Sequence, residues 1–194
     1  MSHSVKEIDL KEIATIRTGY SFRGKIESGF DSSFIPVVQP KDITGDFSPA
    51  RMDRQLISNY QNHALQKDEI LIANKGVKFS TYLIDAELIG GVASSSFFVI
   101  SPDVNKIIPD FLIWYLTQDE ALNYLKSSSI ASTIPSLNKK SLESLTIALP
   151  PIDVQEKVVH MKELVQTEEL ELLNLIQTRK ELLKSYAFEQ IHTR

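Results

Sequence analysis

The chain contains no cysteine. That absence excludes disulfides, cysteine-ligated zinc, iron–sulfur clusters and thiol catalysis. No apolar run approaches the roughly 18 residues of a membrane span. The opening, MSHSVKEIDL, lacks the apolar core of a secretory signal. A cytoplasmic protein with no membrane association is therefore expected. Positive charge is not in excess either: the net charge is −4. Any electrostatic footprint for nucleic acid has to be a local patch rather than a property of the whole chain.

Catalytic signatures are also missing. There is no Gly-rich phosphate loop of the Walker type and no Asn-Pro-Pro-aromatic segment of the kind adenine methylases carry. Gly90-Gly91 stands without the rest of a cofactor fingerprint. His3, His63, His160 and His192 are too far apart for metal-ligand spacing. Combinations of Asp or Glu with Lys are chance matches to a nuclease pattern, and Glu181 with Lys184 reads better as a salt-bridged helix face. The expectation is no catalytic residue, no metal and no cofactor in this chain.

What is present is most pronounced at the end. Pro150 and Pro151 stop whatever precedes them, and Asp153 with Glu156 fits an N-cap and capping box. No Gly or Pro follows. About 38 residues of helix would reach roughly 57 Å. Its apolar stripe is Val158, Met161, Val165, Leu172, Leu175, Ile176, Leu182, Leu183 and Tyr186. With Val158 at position a of a heptad, Arg179 falls at a later a position and Glu168 at d, so the seam is coiled-coil-like but imperfect. One such helix cannot bury that surface alone. It calls for a partner helix from another copy or another protein, or else for folding back on its own domain.

Upstream, a hydrophobic content of 42% and a charged content of 24% are ordinary for a globular domain. Residues 5–17 suit a strand and a short helix, and TGYSFRGK reads as a polar loop. FIPVVQ (34–39), EILIA (69–73), residues 82–85, FFVI (97–100) and LTIAL (145–149) read as strands. Residues 57–64 suit a short helix, and DFLIWYLTQDEALNYLKS (110–127) reads as one strong helix. Short strands without strict βα alternation predict an α+β domain over 1–150, followed by a long coiled-coil-like helix over 151–194.

Three stretches, taken in order, resemble one half of the specificity (S) subunit of type I restriction–modification enzymes. LKEIATIRTGYSFRGK (10–25) is similar to the entry of a target-recognition domain. LQKDEILIANKG (65–76) is similar to the family's L-x-x-G-D-I-L-I-x-x-x-G, with Leu65, Ile70, Leu71, Ile72 and Gly76 matching and Asp68-Glu69 in place of Gly-Asp. STIPSLNKKSLESLTIALPPIDVQEKVV (132–159) resembles the close of that domain and the start of its long helix, with Pro150, Pro151, Ile152 and Gln155 matching and Val154 replacing a glutamate.

The resemblance implies a non-catalytic subunit that recognises double-stranded DNA. It implies recruitment of a DNA adenine methyltransferase (modification) subunit, which uses S-adenosylmethionine, and of a restriction subunit. The family's usual subunit has two recognition domains and two helices, and this sequence has one of each. A homodimer through the C-terminal helix would rebuild the pair, one half-site per chain, inverted about a two-fold. The alternative implied is a truncated or decoy specificity fragment that acts only as a protein-interaction module through that helix.

Base readout needs donors and acceptors at base edges, with cations and hydroxyls on phosphates to set register. The candidates flank strands: Arg17, Tyr20, Ser21, Arg23 and Lys25 in the first loop; Gln39 and Lys41 after FIPVV; Asn74, Lys75, Gly76 and Lys78 after EILIA; Ser94, Ser95 and Ser96 after the double glycine; Ser132 and Thr133 in the late loop. Each can equally be a solvated surface residue. Asn74 can be turn chemistry alone, and Tyr20 and Phe22 can be core.

Overall fold

The computed structural model describes residues 5–22, 34–43, 52–57, 60–76, 79–129 and 135–192. It divides into two compact units, Met1–Gln155 and Glu156–Arg194. The first is α+β, as expected. Strand β1 (Lys6–Asp9), helix α1 (Leu10–Ile13) and strand β2 (Ala14–Thr18) follow one another without a loop. Strands β3 (Ile35–Val38), β4 (Arg54–Gln55), β5 (Ile70–Ala73), β6 (Thr81–Leu83), β7 (Val92–Ala93) and β8 (Phe97–Pro102) come next, with a 3-10 turn at Tyr60–His63. Helices α2 (Pro109–Leu116), α3 (Asp119–Ser127) and α4 (Lys139–Glu143) precede strand β9 (Thr146–Leu149) and helix α5 (Ile152–His192).

Among the described residues the strands form three sheets. The largest has the order β2-β8-β5-β6, all antiparallel. A second, β4-β3-β7, pairs β3 with β7 in parallel and with β4 antiparallel. The third pairs β1 with β9, joining the two ends of the unit.

Strand alternation explains why β3 and β7 are wholly apolar in their paired residues. Val38 and Ala93 face a core of Met52, Leu65, Leu71, Ala73, Ile84, Leu88, Phe97 and Val99. Val37 and Val92 point the other way, with Ile57, and pack under Tyr20, Phe22, Ile35 and Tyr60. A strand pair buried on both faces needs apolar residues at consecutive positions.

The structure splits the expected helix 110–127. Thr117 closes α2, and Gln118 is extended (ψ 152°) at the start of α3. The Thr117 hydroxyl and the Gln118 amide both donate to the Trp114 carbonyl, at 2.7 and 2.8 Å. Short polar side chains that satisfy helix-end carbonyls compete with helix continuation. Helix α4 was not expected. Asn138 caps it by accepting from the Ser141 N–H at 2.8 Å. Within the expected helix over 57–64, the described residues Tyr60–His63 form a 3-10 turn. Helix α5 opens at Ile152, with Val154 and Gln155 N–H both donating to the Pro151 carbonyl. Asp153 therefore lies inside the first turn instead of capping it.

Asp68, which occupies the glycine position of the family pattern, has φ +67°. That region costs most non-glycine residues roughly 1–2 kcal/mol, less for Asp, while glycine enters it freely. Asp68→Gly is expected to raise stability by about 0.5 kcal/mol, net of glycine's extra freedom in the unfolded chain. Urea denaturation would measure it, and a lower midpoint at unchanged slope would contradict the strain argument.

Candidate nucleic-acid interface

The C-terminal ends of β2, β3, β5 and β7 converge on one turn, Ser94–Ser96. The registers require it: Thr18 and Ala73 lie opposite the start of β8 at Phe98 and Phe97, while Val38 lies beside Ala93. Backbone bonds close the arrangement. Gly19 N–H donates to Phe97 O at 3.0 Å, Tyr20 N–H to Ala93 O at 2.7 Å, Ser94 N–H to Val38 O at 2.9 Å and Asn74 N–H to Ser96 O at 2.9 Å. Gly19 has no alternative at this crossing, since an added Cβ would stand 2.0 Å from Ser94 O. On the far side of Asn74–Gly76, Lys75 bridges Ser136, and Gly76, at φ +115°, donates its N–H to Pro135 O at 3.1 Å.

Several candidates selected from the sequence are thus neighbours: Tyr20, Ser21, Asn74, Lys75, Gly76, Ser94 and Ser95. Their roles divide by burial. Ser21, Lys75 and Ser95 are exposed. Asn74 and Ser94 are buried, at 8% and 7% exposure. Tyr20 is half-buried, and its ring meets Phe22 at 4.9 Å and His63 at 5.1 Å, both edge-on. Tyr20 and Phe22 are partly covered members of the core layer. Arg23, Lys25, Lys78, Ser132 and Thr133 lie outside the described residues.

Arg17 is corrected from a loop residue to a strand residue. It ends no loop but sits in β2, and its guanidinium grips Glu69 through two bonds of 2.8 and 3.0 Å and also donates to Ala64 O. Glu69, only 6% exposed, accepts further from Ser101 Oγ at 2.6 Å and Gln66 N–H at 3.0 Å. Both carboxylate oxygens are engaged, as a buried charge requires. Glu69 and Ser101 were not among the residues singled out; Glu69 occupies the aspartate position of the family pattern, which was the available signal.

Gln39 and Lys41 share Asp53. Gln39 Nε2 donates to it at 2.8 Å and Lys41 Nζ at 2.6 Å. That hydrogen bond raises Lys41 above the ordinary lysine value. Asp42 accepts from Gln39 N–H at 2.8 Å. Burial raises the Asp42 carboxyl, and the Gln39 N–H pulls it the other way. Asp53, too, was missed from the sequence.

Among the described residues, no group of three or more His, Asp or Glu side chains could hold a metal ion, and no helix is long and apolar enough to cross a membrane. In the second unit, Met161, Val165, Leu172, Leu175, Ile176, Leu182, Leu183 and Tyr186 are all exposed, as are Leu164, Leu170, Leu173, Phe188 and Ile191. Val158 is half-buried. Helix α5 is 41 residues long, roughly 60 Å.

The model of the type I restriction modification DNA specificity domain matches residues 3–182. Over 99 residues the chain is 31% identical to the type I restriction enzyme HindI specificity subunit of Haemophilus influenzae, an alignment covering 50% of this chain and 22% of that protein. The HsdS subunit structure from Thermoanaerobacter tengcongensis superposes with a TM-score of 0.70 at 19% identity, covering 97% of this chain and 49% of that one. The type I restriction–modification S subunit from M. genitalium gives 0.61 at 12% identity, covering 96% and 46%. The chain spans about half the length of these solved subunits.

Proposed function

The chain belongs to the type I restriction modification DNA specificity domain family, and from that premise we propose that its first 150 residues read double-stranded DNA and that helix α5, in residues 151–194, serves assembly. The observation that carries this reading is the convergence of four strand ends on the Ser94–Ser96 turn, which sets exposed Ser21, Lys75 and Ser95 around one point. Hydroxyls beside a cation are what base-edge contact with phosphate registration requires. Gly76 adds a backbone position without a Cβ, where a phosphate can approach closely.

In this reading the chain performs no chemistry. It supplies the address, and a DNA adenine methyltransferase subunit that carries S-adenosylmethionine supplies the methyl transfer, with a restriction subunit joining the assembly. The target adenine has to leave the base stack to reach the partner's pocket. The apolar face of α5 then needs a second helix. A second copy of the chain offers one by two-fold symmetry, which would pair two reading heads. The exposed residues from Met161 to Ile191 also favour a second reading, in which the chain acts only as a protein-interaction module through this helix.

Selection from a library of randomised duplexes by the purified full chain, at fixed salt, separates these readings. The expected product is a short motif that recurs once in inverted orientation at fixed spacing. A single motif would mean one reading head. Retention of duplexes with no enrichment, or no retention at low salt, would refute DNA reading and leave the interaction module.

A further inference from the structure

We propose that Asn74 is a positioning residue for DNA readout: it clasps the Ser94–Ser96 turn and so fixes where Ser95 stands. The inference rests on the DNA reading above. Asn74 follows the fully buried strand β5 and is itself 8% exposed. It was a candidate base contact, but its backbone N–H and one of its two Nδ2 hydrogens are engaged inside the protein. The backbone N–H goes to Ser96 O at 2.9 Å and Nδ2 to Ser95 O at 2.8 Å. Its carbonyl accepts from Leu137 N–H at 2.8 Å. One residue thus ties three chain segments that are distant in sequence.

A buried amide is costly unless it is hydrogen-bonded, and Asn74 Oδ1 has no partner among the described residues. An apolar residue would pack here without that cost. What asparagine adds is the hold on the Ser95 carbonyl. Phe97 N–H closes the same turn on Ser94 O at 3.0 Å, so with Asn74 present the turn is fastened at both ends and in the middle. The Ser95 side chain is exposed on it. Lys75 is held differently, by its bridge to Ser136 and by Gly76 N–H on Pro135 O. Loss of the Asn74 side chain therefore moves Ser95 while leaving the cation in place.

These two attachments predict a split between selectivity and electrostatics. The test uses fluorescence anisotropy with the duplex selected by the full chain and a scrambled duplex of equal length, each over a salt series, for wild type, Asn74→Ala and Ser95→Ala. In Asn74→Ala the preference for the selected duplex is expected to fall about tenfold, the size of one good base contact. Affinity for the scrambled duplex and the salt slope, which counts phosphates, are expected to stay unchanged. Ser95→Ala is expected to relax the same base position, and because that side chain is exposed the variant can overturn the proposal even if Asn74→Ala fails to fold. Undiminished preference in either folded variant overturns the proposal while DNA reading stands. A wild type that prefers no duplex overturns both.

Discussion

Replacing Arg17 with alanine is expected to destabilise the first unit by about 3 kcal/mol, within the range for breaking a buried ion pair by removing one partner. The loss arises less from the missing attraction than from what remains. Glu69 would be left at 6% exposure with only the Ser101 hydroxyl and the Gln66 N–H as partners. The Ala64 carbonyl would also lose its donor. The Arg17 side chain is 28% exposed, so some of its hydration survives folding, which places the estimate at the lower end of the range. At this chain length the melting temperature should drop by roughly 6–12 °C. Arg17→Lys should recover only part, because an ammonium cannot make the paired bonds that the guanidinium makes. The double substitution Arg17→Met with Glu69→Leu should recover only part: it removes the unpaired buried charge, but it leaves the Ala64 carbonyl, the Gln66 N–H and the Ser101 hydroxyl without the partners the pair supplied. If Arg17→Ala melts like wild type yet loses DNA binding with a smaller salt slope, Arg17 is a phosphate contact after all and the Glu69 pair is incidental.

Arg17 also shows where sequence reading ends. Local pattern carries the strands, because EILIA and FFVI announce themselves by apolar runs of strand length between turn residues. The long helix is equally legible, since nothing after Pro151 can break it. Periodicity misleads over 110–127: the apolar positions continue in phase through Thr117-Gln118, and the break comes from two side chains that bind the Trp114 carbonyl. Helix α4 has five residues, too few to display a period. The placement of Ser21, Lys75 and Ser95 at strand ends was legible, and the fold gathers these exposed residues around one turn. The function of each residue within that set was not. Arg17 is paired with a carboxylate 52 positions away, and Asn74 spends its amide on a carbonyl 21 positions away. A basic or amide residue beside a strand reads as available for a ligand until the fold reveals an internal partner, and only long-range geometry supplies that information.

Gln155 gives the other large effect. It matches the family pattern at the start of α5, and the structure supplies the physical reason for a glutamine there. Its exposure is 0%. Oε1 accepts from Ile108 N–H at 2.9 Å, while Nε2 donates to Pro150 O at 2.9 Å and Lys106 O at 3.2 Å. Three backbone groups that no helix or sheet satisfies are thereby paired through one side chain, which needs both a donor and an acceptor end. Gln155→Leu keeps the approximate volume and orphans all three, so a loss of about 3 kcal/mol or more is expected. Gln155→Glu should be worse at neutral pH, because it turns a carboxylate oxygen toward two carbonyls in a site without water contact. Burial of that kind raises a carboxyl's folded-state pKa. A raised value means stability that is present below the unfolded value of about 4.3 and lost as pH rises through the folded one. The deficit of Gln155→Glu relative to Gln155→Leu should therefore shrink at pH of about 4 and widen toward neutrality. Thermal melts of the two variants across that interval test the assignment. A constant difference between them would mean that the introduced carboxyl reaches solvent, and that the glutamine does not seal this junction in the way its three hydrogen bonds indicate.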